Sequence, residues 1–181
     1  MATPPDFTAG QVLTAAQMNA VGLWEISSTT FSAVSSHAVN GCFSADYDSY
    51  RVIFLCSRST ANQVTMRLRV GVTDNTSAVY GTQIVRAQAT TLTGVAANNT
   101  SLTFNNTTDS QSMSAVFDIH SPFLAVDTLL QGQSSQGMYA TNSESSIFWM
   151  RHDSTEAFTG INFIASTGTI TGTCQVYGYR D

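Results

Sequence analysis

Residues 64 to 72 read Val-Thr-Met-Arg-Leu-Arg-Val-Gly-Val. Val64, Met66, Leu68, Val70 and Val72 fall on one side of an extended chain, and Thr65, Arg67 and Arg69 on the other. A period of two places one buried and one wet face on a strand and is incompatible with a helix. The same period recurs downstream. Met113, Ala115, Phe117 and Ile119 alternate with polar or smaller neighbours, Phe148 and Trp149 take opposite faces of a segment from Ile147 to His152, and Ile161 to Ala165 follows. Between Thr169 and Tyr179, Ile170, Cys174 and Val176 oppose a row of Thr, Gln and Tyr. Tyr50 to Cys56 is apolar on both faces and reads as a central strand. Weaker strands are expected at Trp24–Phe31, His37–Phe43, Gln83–Ala87, Ser101–Phe104 and Thr128–Gln133. Turn chemistry separates them at Asp74-Asn75, Asn98-Asn99, Asn105-Asn106, Asp153-Ser154 and Ser166-Thr167-Gly168. About eight to ten short strands so spaced predict an all-β fold, an antiparallel two-sheet sandwich of jelly-roll type, spanning residues 25–181.

Ahead of it, residues 1–24 read as an arm with a two-turn helix. Thr14-Ala15-Ala16-Gln17 is a capping box, Leu13 and Met18 are placed as a hydrophobic staple, and Gly22 stands where a left-handed C-cap belongs. The expected helix is Ala15 to Val21. A helix this short persists in water only when its apolar side chains are buried against something. That something is its own domain, a sister subunit or a different protein. Phe7, Leu13, Met18 and Trp24 supply the apolar area for attachment.

Charged residues make up 10% of the chain, against about a quarter in ordinary domains. The seven basic residues are all arginine, and Ser and Thr account for about a quarter of the chain. With a net charge of -5, a phosphate-binding surface and hence nucleic acid are poor expectations. No secretory signal pattern or membrane-length apolar run is evident, so no membrane insertion is expected and the chain is expected in the cytosol unless it leaves by another route. Cys42, Cys56 and Cys174 lack metal-ligand spacing and read as small buried hydrophobes. Asn-x-Ser/Thr triplets are expected by chance in a chain this rich in Ser and Thr.

Catalytic signatures are sparse. No Gly-x-Ser-x-Gly elbow, phosphate loop or dinucleotide fingerprint occurs. The run Arg151-His152-Asp153-Ser154-Thr155-Glu156 is the densest polar cluster, but as metal ligands His152, Asp153 and Glu156 alone are weak, and a solvated turn is the default reading. A glycosidase needs two opposed carboxylates, and Asp46 with Asp48, or Asp153 with Glu156, are the pairs to inspect. Asp46-Tyr47-Asp48-Ser49-Tyr50-Arg51 sets aromatics beside acids and suits either a sugar-binding edge or a turn capping the sandwich. No enzyme, cofactor or metal is expected.

The pattern Phe7-x-Ala9-Gly10-x-Val12-Leu13-Thr14-Ala15-Ala16-x-Met18-Asn19 resembles the N-terminal segment of many tailed-bacteriophage virion proteins. Asn40-Gly-Cys-Phe-Ser44, Tyr47-Asp-Ser-Tyr-Arg51, Leu68-Arg69 and the terminal Thr169 to Arg180 are similar to small phage structural proteins of the same kind. The resemblance implies a virion structural protein, assembled in the host cytoplasm, that joins the particle by its arm and projects a β domain. A tail-fibre-like subunit is expected first, a capsid decoration protein second, and a polysaccharide-degrading tail enzyme is the competitor from another class. The resemblance also implies a homotrimer, for which Tyr177 and Tyr179 are candidate interface anchors. Partners would be other virion proteins and a host-surface glycan. Candidate recognition residues lie on turns: Asn98, Asn99, Asn105, Asn106, Arg151, His152, Asp153 and Glu156.

Overall fold

The computed structural model of the protein describes residues 10, 12, 22–104, 112–137 and 143–179. The expected helix at Ala15 to Val21, with Phe7, Leu13 and Met18, lies outside the described residues, as do Asn105 and Asn106. Among the described residues there is no helix, and the fold is all-β. The strands are β1 (Leu23–Val34), β2 (Ser36–Val39), β3 (Ser49–Arg58), β4 (Val64–Val70), β5 (Thr73–Asp74), β6 (Tyr80–Gln88) and β7 (Thr91–Asn99). They are followed by β8 (Leu102–Thr103), β9 (Met113–His120), β10 (Thr128–Gln136), β11 (Glu144–His152), β12 (Gly160–Ala165) and β13 (Ile170–Tyr179).

They form two antiparallel sheets. The long sheet runs β1-β13-β3-β9-β10-β11-β6-β7, and the short one β2-β12-β4-β5, with β8 also on β4. The pairings nest: β1 takes β13, β2 takes β12, β3 takes β9 and β4 takes β5. The extra strands β10, β11, β6 and β7 extend the long sheet beyond β9.

The alternation read in the sequence explains the shared core. Tyr50, Val52, Phe54 and Cys56 of β3 point inward, as do Met113, Ala115, Phe117 and Ile119 of β9. From the short sheet come Val64, Met66, Leu68, Ile161 and Phe163. Phe54 stacks on Phe163 across the sheets at 4.0 Å, and Phe104 meets Phe117, Phe148 and Phe163 at 5.4, 5.5 and 5.9 Å. Burying an aromatic side chain contributes on the order of 1.5–3 kcal/mol, and offset or edge contacts add to it. Gly172 lets β13 and β3 approach so closely that a Cβ there would sit 1.9 Å from the Leu55 carbonyl oxygen.

Two strand expectations and one turn need correction. The stretch Val64 to Val72 is no single strand: β4 stops at Val70, Gly71 turns at φ 61°, and Val70 and Val72 are exposed. The strand expected over His37–Phe43 ends at Val39, although Cys42 and Phe43 remain buried. Asn98 and Asn99 are no turn, since they close β7 in register with Gly81 and Tyr80. β7 itself went unread because it carries no apolar face. It is an edge strand whose residues are almost all exposed. The opposite edge, β1, is interrupted by two register shifts, the second beside Ala33 at φ 51°. Such bulges blunt an edge against pairing with another chain.

Candidate functional site

The outer face of the long sheet is built from the residues that alternate with the core. One cross-strand row on it reads Tyr177, Arg51, Asp118, Gln131, Trp149, Gln83 from β13 to β6. Trp149 therefore has a glutamine directly opposite it on each side. Its inward neighbour Phe148 is fully buried, whereas Trp149 is 44% exposed. The adjacent row reads His120, Leu129, Arg151, Gly81, Asn98.

Between these rows lies an open cleft of about 830 Å³. Trp149 and Leu129 give it apolar walls, Gln83, Gln131 and Asn98 give it amides, and Gly81 and Ala96 keep it open by lacking bulk. A Cβ at Gly81 would stand 3.3 Å from the Asn98 side-chain oxygen, so that amide leans over the glycine. A second concavity of about 350 Å³ adjoins it. The two share Gln131 and Trp149, and Arg51, Asp118 and Ile147 line the second.

The two arginines on this face are paired with carboxylates. Arg151 donates from Nε to Asp127 at 2.9 Å and from Nη2 to Asp153 at 3.2 Å. Arg51 donates from Nε and Nη2 to the two oxygens of Asp118, both at 2.9 Å. Tyr179 donates to Asp118 at 2.8 Å. Partial burial alone would raise the Asp118 carboxyl, but the hydrogen bonds from Arg51 and Tyr179 and the Arg51 charge hold it below the usual aspartate range. His120 Nδ1 meets Ser49 Oγ at 2.9 Å, bridging β9 and β3. No carboxylate hydrogen-bonds that histidine among the described residues, so the pair lacks the orienting third group of a nucleophile relay.

The structure unites two of the residues singled out in the sequence, Asn98 and Arg151, on either side of Gly81. Asp153 joins them at the rim through Arg151. Asn99 pairs with Tyr80, a core residue, and so takes the opposite face of β7 from Asn98. Glu156 sits apart, accepting from Asn75 Nδ2 at 2.5 Å.

His152 is a correction. It is wholly buried, with Tyr80 and Phe158 edge-on at 4.5 and 4.8 Å, and cannot contact a surface ligand. Its Nε2 meets Asn75 Oδ1 at 3.3 Å, and desolvation lowers its pKa. Trp24 pairs with Gly178, an inward position on β13, and is half-buried rather than displayed. Tyr177 donates to Glu25 at 3.3 Å. Tyr177 and Tyr179 are half-exposed at the far side of the outer face. Of the acids weighed as catalytic pairs, Asp46 Oδ2 accepts from Ser44 at 3.1 Å, Asp153 from Arg151 and Glu156 from Asn75. No group of three or more metal-ligating side chains gathers among the described residues.

Sequence reasoning passed over Trp149, Leu129, Gln131, Gln83 and Gly81. One signal was present: alternation against Phe148 already turned Trp149 outward. What stands beside it depends on strand order, which alternation does not encode.

No protein-family model matches the chain, and no curated protein matches it either.

Proposed function

We propose that this is a non-enzymatic virion structural protein of a tailed bacteriophage, tail-fibre-like, which joins the particle by residues 1–24 and binds a host-surface glycan through its β domain. The observation that carries the binding role is Trp149, held outward between Gln131 and Gln83 over an open cleft. An aromatic face is electron-rich and receives the C–H face of a pyranose, while flanking amides exchange hydrogen bonds with its hydroxyls. A rigid sheet fixes these groups before the ligand arrives, which limits the ordering cost of binding.

The nested strand pairings fit a two-sheet jelly-roll sandwich, an architecture found in viral capsid and lectin domains. That is an argument from fold, and fold alone does not assign function. The virion assignment draws on the resemblance of the N-terminal pattern and of the Asn40–Ser44, Tyr47–Arg51 and terminal segments. The homotrimer belongs to the same reading, and the uncharged, exposed edge of β7 is open to a neighbouring subunit.

Binding of the full chain to a glycan array, lost by at least about tenfold in Trp149→Ala with unfolding unchanged, is the expected result. Incorporation into particles is expected to disappear in Leu13→Ser/Met18→Ser while the β domain stays folded. Degradation of capsular polysaccharide by the purified protein would sink the non-enzymatic reading. Light scattering that gives a monomer mass would sink the trimer.

A capsid decoration role is the second reading. It is favoured by Leu55 and Ile147, 46% and 52% exposed on the same outer face, which offer apolar area to a protein shell rather than to a sugar.

A further inference from the structure

We propose that the Trp149 cleft selects uncharged hexose chains over acidic ones, with Trp149 and Gln131 shared between two adjoining sugar subsites and Arg151 serving as a fixed hydrogen-bond donor. This rests on the glycan reading above and adds the ligand's charge class and its mode of binding.

The charge balance of the outer face carries the inference. Of the seven arginines, only Arg51 and Arg151 belong to outward positions of the long sheet among the described residues. Each is already compensated. Arg51 is bidentate on Asp118. Arg151 is shared by Asp127 and Asp153, a guanidinium between two carboxylates with a formal sum of -1. A uronate or sialate carboxylate entering beside Arg151 would find no unpaired arginine on this face among the described residues and two acids of its own sign. Recognition of an anion by arginine uses the bidentate fork, and here the Nε/Nη2 side of each guanidinium is already held by carboxylates.

Neutral hydroxyls face no such obstacle. Arg151 engages its acids through Nε and Nη2, which leaves the Nη1 N–H groups for a hydroxyl. Gln83, Gln131 and Asn98 each offer both a donor and an acceptor, the pairing that a hydroxyl satisfies and a carboxylate half-frustrates. The two concavities meet at Trp149 and Gln131. A chain of at least two residues can therefore lie across the indole with one sugar in each, and this sets a minimum ligand length.

The test is an array, followed by calorimetry with the full chain, using neutral hexose oligosaccharides and their uronic-acid and sialylated counterparts. Neutral oligosaccharides should bind at least about tenfold tighter than acidic ones. Their affinity should hold when salt is raised from about 0.05 to about 0.5 M, because no net ion pair forms. Monosaccharides should bind more weakly than disaccharides. Asp127→Asn/Asp153→Asn frees the guanidinium and should narrow or reverse the preference; both acids are solvent-accessible, and an unchanged melting temperature verifies the fold. Acidic glycans bound as well as neutral ones by the unmodified protein would overturn the selectivity while leaving the glycan reading standing. Monosaccharides bound as tightly as disaccharides would overturn the two subsites. Binding to no sugar at all would overturn the glycan reading itself, and this inference with it.

Discussion

Arg51 and Asp118 stand in register on neighbouring strands β3 and β9, joined by two parallel hydrogen bonds of 2.9 Å. Because Asp118 titrates below its unfolded value, its contribution to stability is complete above about pH 3.9 and is lost as pH falls through the lower folded pKa. Asp118→Asn should cost about 1 kcal/mol at pH 7, the modest value proper to a partly exposed pair, and should flatten the stability profile below pH 4. Chemical denaturation at several pH values measures both effects.

His152 acts in a different window. Its burial depresses the folded pKa below the ordinary 6.5, so the unfolded chain takes up a proton first. Stability is therefore fully present above about pH 6.5 and declines as pH falls toward the lower folded value. His37, also lowered by desolvation, adds a slope of the same sign. Melting temperature should fall between pH 7 and pH 5, and His152→Gln should show a shallower fall across that interval.

Phe163 connects the sheets through Phe54, Phe104 and Phe117. Phe163→Ala should cost about 3–5 kcal/mol, the usual range for a fully buried ring. Urea denaturation reads the loss directly. A loss below about 1 kcal/mol would mean that the sheets are not held together there.

Gly172→Ala should destabilise by at least about 3 kcal/mol although it adds a single methyl group, because the new carbon meets the Leu55 backbone rather than a movable side chain. Thermal unfolding of this variant beside Gly94→Ala, whose Cβ would meet nothing within 4 Å, separates crowding from a general intolerance of the exchange.

Cys42, Cys56 and Cys174 are free and buried, and desolvation pushes their thiols up to about 12, 11 and 12. The native protein should resist iodoacetamide at pH 8 and incorporate it at all three positions once denatured, as intact mass would show.

The strands that carry the core were legible because one face of each must be apolar: Val64 to Leu68, Met113 to Ile119 and Ile170 to Val176 all lie where alternation put them. β7 was not legible, because neither of its faces enters the core and its composition is that of a loop. Strand order hid half of the cleft. Gly81, Ala96 and Asn98 gain meaning only when β6 and β7 come to rest beside β11, and no local property of those segments names that neighbour. His152 was misjudged for the opposite reason. It sits in a run of polar residues but occupies an inward position of β11, set by the same alternation that buries Phe148 and Met150.

The nested pairings also impose an order of events on synthesis. A ribosome that has released the chain through His152 has delivered every partner within the block β3-β9-β10-β11-β6-β7. It has delivered no described mate for β1 or β2, which pair with β13 and β12, the last two of the described strands. Phe31 and the rest of β1 must wait, unpaired, for β13 to emerge. Loop closure over nearly the whole chain is slow, and an unpaired strand is open to wrong partners in the interval. A nascent chain stalled with β11 just clear of the tunnel should therefore hold a folded middle and a protease-sensitive N-terminal strand, which becomes resistant only when the ten residues of β13 are also free of the tunnel.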